Sequence, residues 1–336
     1  MRTLSRRGLF GAACLACGGA HLGLSATPVQ AQPQPQPQPQ AGGWRPPPAG
    51  QRCPSRWGAD DARGAMNLLT PERVQRAARL IRTGAIVEVG RVLEPAMPFF
   101  GTRRFDVHLK RSGAPAGANR LSGNEEVAIG EIGHVGTQFD GFPHITIDGQ
   151  AYNCVGVDGI AQRGGFTRLG IDTVGTILTR GVLLDVAGLK GQRTLEMGYE
   201  ITVADLEEAL RRQSTALEPG DAVLINTGWG HLWARDNARY VSGCPGIGVA
   251  AAEWLMARQP ILLGSDNWPV EVIPNPDREL AFPVHQIALV IHGVHLLENM
   301  KLDELAERRV HEFAFLMQPL RIKGGTGSTV APSALL

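Results

Sequence analysis

From about residue 56 onward, short apolar runs alternate with amphipathic stretches. Thr70-Pro71-Glu72 carries a helix start, with threonine as N-cap, proline at the first helical position and an acid in the first turn. Val74, Ala77, Ala78 and Ile81 then recur at helical spacing, which predicts a helix over 70–82. Thr202-x-x-Asp205 opens a second over 202–213, and 249–258 and 302–308 have the same character. Strand-type runs lie at 86–92, 176–185, 222–227, 261–264, 287–291 and 313–322. No repeat of 20–50 residues is visible. Strands outnumber helices and do not alternate with them one to one, which argues against a doubly wound sheet. The expectation is an α/β domain over 53–336 with a mixed sheet or barrel-like core and flanking helices.

The first 52 residues follow a different pattern. Arg6-Arg7 precedes an apolar, Ala- and Gly-rich run to about Gly23, and Val29-Gln30-Ala31 offers a small-x-small cleavage point. Residues 1–31 resemble a twin-arginine export signal, so a periplasmic location is expected, with no membrane span in the mature form. The stretch QPQPQPQPQAGGWRPPPAGQ that follows biases residues 32–52 to an extended, disordered tether, about 3.1 Å per residue. The 336 residues carry a formal charge of +1, which gives no reason to expect a nucleic-acid partner. Cys14 and Cys17 fall in the leader. Cys53, Cys154 and Cys244 remain, without metal-site spacing; an oxidising compartment permits one disulfide among them, and the sequence does not choose the pair.

The chemistry concentrates in GHVGTQFDGFPHI, residues 133–145. In an extended segment His134, Gln138, Asp140 and His144 share a face. A straight strand would hold 134 and 138 about 13 Å apart, so a common site requires a bend. Gly133, Gly136, Gly141 and Pro143 permit one. Imidazole, amide oxygen and carboxylate together suit a divalent first-row ion; singly, each would read as an ordinary buried or turn residue. A second group, His285, His292, His295 and Glu298, offers a carboxylate from elsewhere in the chain, and Asp266 and Glu271 in GSDNWPVE are further candidates. There is no Gly-x-Ser-x-Gly, and KGGTGST lacks the ending of a phosphate loop.

GHVGTQFDGFPH resembles the signature of the cyclase-like metal-dependent hydrolases, the group that contains bacterial kynurenine formamidase and isatin hydrolase, whose pattern is His-x-Gly-Thr-His-x-Asp-x-Pro-x-His. RWGADDARGAMNLLTPE, LTRGVLLDVAG, GDAVLINTGW, HGVHLLENMKLDEL and PLRIKGGTGS look like blocks of its longer members, so the likeness spans nearly all of 56–336. The resemblance implies a swivelling β/α/β fold, one divalent ion (Mn²⁺ or Zn²⁺), a small-molecule substrate and a homodimer. His134, Asp140 and Glu298 would be metal ligands and His144 the acid/base. Gln138 stands where the family has its second histidine, a donor better suited to manganese than to zinc. Pro143 sits one place late, and His285 lies one place from the family's late histidine ligand. Phe99 and Phe100 take the place of an aromatic that faces the substrate ring, with Trp57, Trp229 and Trp268 as further aromatic surface. The implied reaction is hydrolysis of a cyclic or aryl amide, lactam or lactone. The competing reading is an exported protein that holds a metal-chelated ligand without turnover. The enlarged chain and altered motif point away from kynurenine formamidase itself.

Overall fold

The computed structural model describes residues 43–336; the stretch read as an export leader and the first part of the expected tether lie outside the described residues. Helix α1, Pro71–Ala78, begins where the capping signals place it, with the Thr70 side chain accepting from the Arg73 N–H. It ends four residues short of the expected end, at Ala78, and Ile81 lies beyond it, 40% exposed. The strands of three or more residues are β1 (Ile86–Glu88), β2 (Phe105–Arg111), β3 (Asn124–Gly130), β4 (Gln138–Asp140), β5 (Ile177–Asp185), β6 (Ala222–Asn226), β7 (Leu262–Ser265), β8 (His295–Glu298), β9 (Glu312–Met317), β10 (Gly327–Thr329) and β11 (Ser333–Leu335). Nine of them form one mixed sheet in the order β1-β11-β9-β5-β6-β7-β8-β4-β10, curled as a half-barrel. Its centre, β5 to β8, is parallel, and the flanking pairs are antiparallel.

Both faces of the parallel centre are buried, so its strands read as unbroken apolar runs rather than alternating ones. Val182, Leu184, Val223 and Ile225 face one cluster, shared with helices α2 (Val203–Gln213) and α3 (Val249–Met256). Leu183 and Leu224 face the other, with Phe313, Phe315 and Leu305. The α2 start is the capping box expected from Thr202 and Asp205.

Three expectations are corrected. Residues 287–291 are not a strand but part of a helical segment, Pro283–His285 continuing as the π-helical turn Gln286–His292. A buried apolar run has no periodicity to separate the two, and Pro283 at its start and Gly293 at its end (φ +60°) are helix boundaries. The β2–β3 hairpin, a separate two-stranded sheet with Val107 and Leu109 exposed, was not expected. Residues 43–52, read as the end of a free tether, lie against the body. Trp44 Nε1 donates to Glu253, Ala49–Arg52 is a short helix, and Arg52 is buried with bonds to Pro47 O and Gln150 Oε1. Cys53 and Cys154 form a disulfide with a Cα–Cα distance of 5.9 Å, while Cys244 is free and buried. No helix among the described residues is long and apolar enough to cross a membrane.

Candidate active site

The site lies where the parallel strands end, the usual ligand-binding edge of such a sheet. Glu298 closes β8, and β4 runs antiparallel beside it with Gln138 opposite Glu298. Gln138 and Asp140, two apart on β4, share a face as the alternation requires. Ahead of β4 the chain bends at Gly136 (φ +65°), where a Cβ would meet Leu93 at 2.2 Å. That turn is held by Asn299, whose Nδ2 donates to Gly136 O. The bend brings His134 Nδ1 to 3.4 Å from Asp140 Oδ1.

Two sets of donor atoms meet on Asp140. His134, Asp140 and His144 each offer a ligand atom within 4.8 Å of the others, and so do Asp140, His285 and Glu298. His134 and His144 stack at 4.2 Å between ring centroids. His285 Nε2 stands 3.2 Å from Glu298 Oε1 and 3.7 Å from Asp140 Oδ2. Glu271 sits behind it, 2.6 Å from Nδ1, and also accepts from the Val284 and His285 N–H groups. A carboxylate on one ring nitrogen fixes the ring and leaves the other nitrogen for a ligand or proton. Gln138 joins the cluster through Glu298, to which its Nε2 donates.

Asp140 is fully buried, and neither of its carboxylate oxygens has a hydrogen-bond partner among the described residues; His134 Nδ1 has none either. Burial would raise the Asp140 carboxyl, but His144, His134 and His285 outweigh it and hold the group well below the ordinary carboxylate range. Burial, together with the Asp140 charge, raises Glu298. Burial lowers His144 to about 4 against the pull of Asp140, so its imidazole is neutral at pH 7. His285 goes the other way: burial lowers it, but Glu271 and Glu298 carry it up to about 10.

The remaining candidates separate. Phe99, Phe100 and Trp268 line a cleft with His134 and Gln138, and Phe100 stacks on Trp268 at 4.4 Å. The cleft holds about 10 Å³, room for a water-sized group. Trp57 lines a different cavity, and Trp229 is a core residue whose Nε1 donates to Tyr240 O. Asp266 accepts from the Thr227 and Gly230 N–H groups and the Thr227 hydroxyl, which makes it a loop brace. His292 lies away from the donor cluster, and His295 supports it from behind by donating from Nδ1 to Asp140 O. Sequence reading missed Thr326, whose hydroxyl lies 2.8 Å from His134 Nε2, and Arg103, which lines the cleft beside Phe100. Thr326 belongs to the PLRIKGGTGS block, a signal that could have been followed; Arg103, in an irregular loop, left none.

Residues 64–272 match the family model described as "Putative cyclase". A crystal structure described as that of a novel cyclase is 33% identical with TM-score 0.78, covering 84% of this chain and 98% of its own. Isatin hydrolase A from Ralstonia solanacearum (23% identity, TM-score 0.56, 79% of this chain and 97% of its own) shares the fold. So does an isatin hydrolase bound to the product analogue thioisatinate (22%, 0.56, 80% and 99%). No curated protein matches. On the family match and the 33% relative together, the chain belongs to the cyclase family.

Proposed function

We propose that the chain is an exported, metal-dependent hydrolase that opens or cleaves a cyclic or aryl amide, lactam or lactone. One observation carries this: a fully buried Asp140 carboxylate with both oxygens unpartnered among the described residues, ringed by three imidazoles and Glu298. With both Asp140 oxygens free of hydrogen bonds among the described residues and the Glu298 carboxylate beside it, this buried donor set fits a cation. His134, Asp140, His285 and Glu298 would hold it. Two carboxylates, two imidazoles and no thiolate suit Mn²⁺ or Zn²⁺, and the acid share favours Mn²⁺. When bound, such an ion polarises a carbonyl and brings the pKa of water toward about 7.

The chain's residues do the rest. His144, neutral and partly exposed, accepts the proton of the attacking water and returns it to the departing nitrogen or oxygen. Glu271 orients His285, and Thr326 orients His134. Phe99, Phe100 and Trp268 exclude water and offer ring faces to a cyclic or aryl substrate. The isatin hydrolases of the same fold support a ring-opening hydrolysis. The Cys53–Cys154 disulfide supports an oxidising compartment, and with it export. A homodimer belongs to this reading through the family.

The test is metal content by mass spectrometry together with turnover on a panel of aryl amides, lactams and lactones. Near-stoichiometric metal with turnover is expected. His144→Ala should keep the metal while kcat drops about 10²–10⁴-fold, whereas Glu298→Gln should lose the metal. Stoichiometric metal with no turnover across the panel would instead favour the binding-protein reading.

A further inference from the structure

A second cavity, about 240 Å³, lies between the 43–57 segment and the helical face that carries Met256 and His292. It shares no lining residue with the Phe99–Trp268 cleft. Its charged lining is basic: Arg52 and Arg56 contribute to the wall, none of its lining residues is Asp or Glu, and His292, which burial lowers to about 4, adds a neutral imidazole. The rest of the lining combines the apolar and aromatic side chains of Trp57, Tyr152, Met256, Ile291 and Val294 with a few uncharged polar groups. Arg52 is 7% exposed; its Nε and Nη2 are committed to Pro47 O and Gln150 Oε1, but Nη1 has no partner among the described residues. Arg56 stacks its guanidinium 4.0 Å over the Trp57 ring, which leaves its N–H edges free for an acceptor.

We infer that this cavity binds a small organic anion: one carboxylate on a single-ring apolar body. The free N–H edges of Arg56, with no acid among the lining residues, call for an anionic oxygen, and guanidinium matches a carboxylate in a two-pronged geometry. The apolar wall rewards a hydrophobic body over an inorganic ion. The volume falls below the ~300–1,000 Å³ of drug-sized pockets and limits the body to about one ring. The wall is built to keep its shape. Cys53 adjoins Arg52, Cys154 follows Tyr152 by two residues, and their disulfide ties the two sides together. This also gives Trp57 a role away from the proposed hydrolytic centre. The inference is independent of the hydrolase reading.

The test is isothermal titration of the full chain with benzoate, with benzyl alcohol as the neutral counterpart. Benzoate should bind one equivalent with a dissociation constant at or below about 1 mM, at least tenfold tighter than benzyl alcohol. Arg56→Gln, at an exposed position, should weaken benzoate at least tenfold, and Trp57→Ala likewise, while Arg103→Gln in the other cleft should leave it unchanged. Arg52→Gln is a secondary variant because its buried bonds also hold the wall. Absence of binding up to about 10 mM, binding indifferent to Arg56→Gln, or binding abolished by Arg103→Gln would each overturn the inference.

Discussion

Around Asp140, burial and charge pull in opposite directions, and neighbouring imidazoles decide the outcome. His295 shows the same competition with the opposite outcome, burial outweighing both the Asp140 carbonyl and the Asp140 charge. It is 1% exposed, its Nδ1–H goes to Asp140 O, and burial lowers its pKa from 6.5 to about 4. A histidine held neutral in the folded state contributes stability above its unfolded pKa and loses it as pH falls through the folded value. The His295 share of the stability lost in urea unfolding between pH 6.5 and 4 should therefore be up to about 3 kcal/mol, and His295→Gln should reduce the slope by that share. The rest comes from His144 and His292, which burial also lowers to about 4. An unchanged slope would mean another group sets the acid limit. At this scale the sequence was informative where chemistry is short-range. His134, Asp140 and His144 were legible because their spacing and the breakers between them are local. Glu271 as the residue that orients His285 was not, since it lies fourteen positions away and meets the ring only through the Pro283 turn.

The bend ahead of β4 is an element-scale device. Gly136 combines φ +65° with a Cβ position 2.2 Å from Leu93, so Gly136→Ala must both strain the backbone and displace a packed leucine. A loss of about 2 kcal/mol is expected from denaturant unfolding, with metal content falling because His134 would no longer meet Asp140; a variant with full stability and full metal would show that the turn is not what positions His134. Helices with explicit caps, α1 and α2, began where their capping residues lie. The 287–291 run misled because five buried apolar residues satisfy helix and strand equally, and only packing against α3 and the sheet selects the helix. Strand β8 was hidden for a related reason: its four residues carry two site-associated groups, His295 and Glu298, rather than a β-type pattern.

For the molecule as a whole, the Cys53–Cys154 disulfide closes a loop of 101 residues. Constraint of the unfolded chain is worth about 2–5 kcal/mol for such a link, so Cys154→Ser should lower stability by that order in urea unfolding and should also weaken benzoate at the second cavity. Retention of full stability in Cys154→Ser would assign the bond no role in holding the 43–57 segment. A cation at the Asp140 cluster would stabilise the folded state by mass action. Chelation should thus lower the melting temperature by several degrees, restored by Mn²⁺, and calorimetry without such a shift would argue against a resident ion.

By itself the sequence determined the fold class, the mixed sheet in place of a doubly wound one, the bent metal-type segment and the family likeness. These rest on local spacing, turn residues and apolar runs, which are properties of neighbours along the chain. The tertiary structure alone decided which cysteines pair, that Trp57 faces a separate cavity, that Gln138 reaches the cluster through Glu298, and that His285 is brought to Asp140. Each of these depends on the strand order and on which strand ends meet, and that information lies in contacts between residues more than a hundred positions apart.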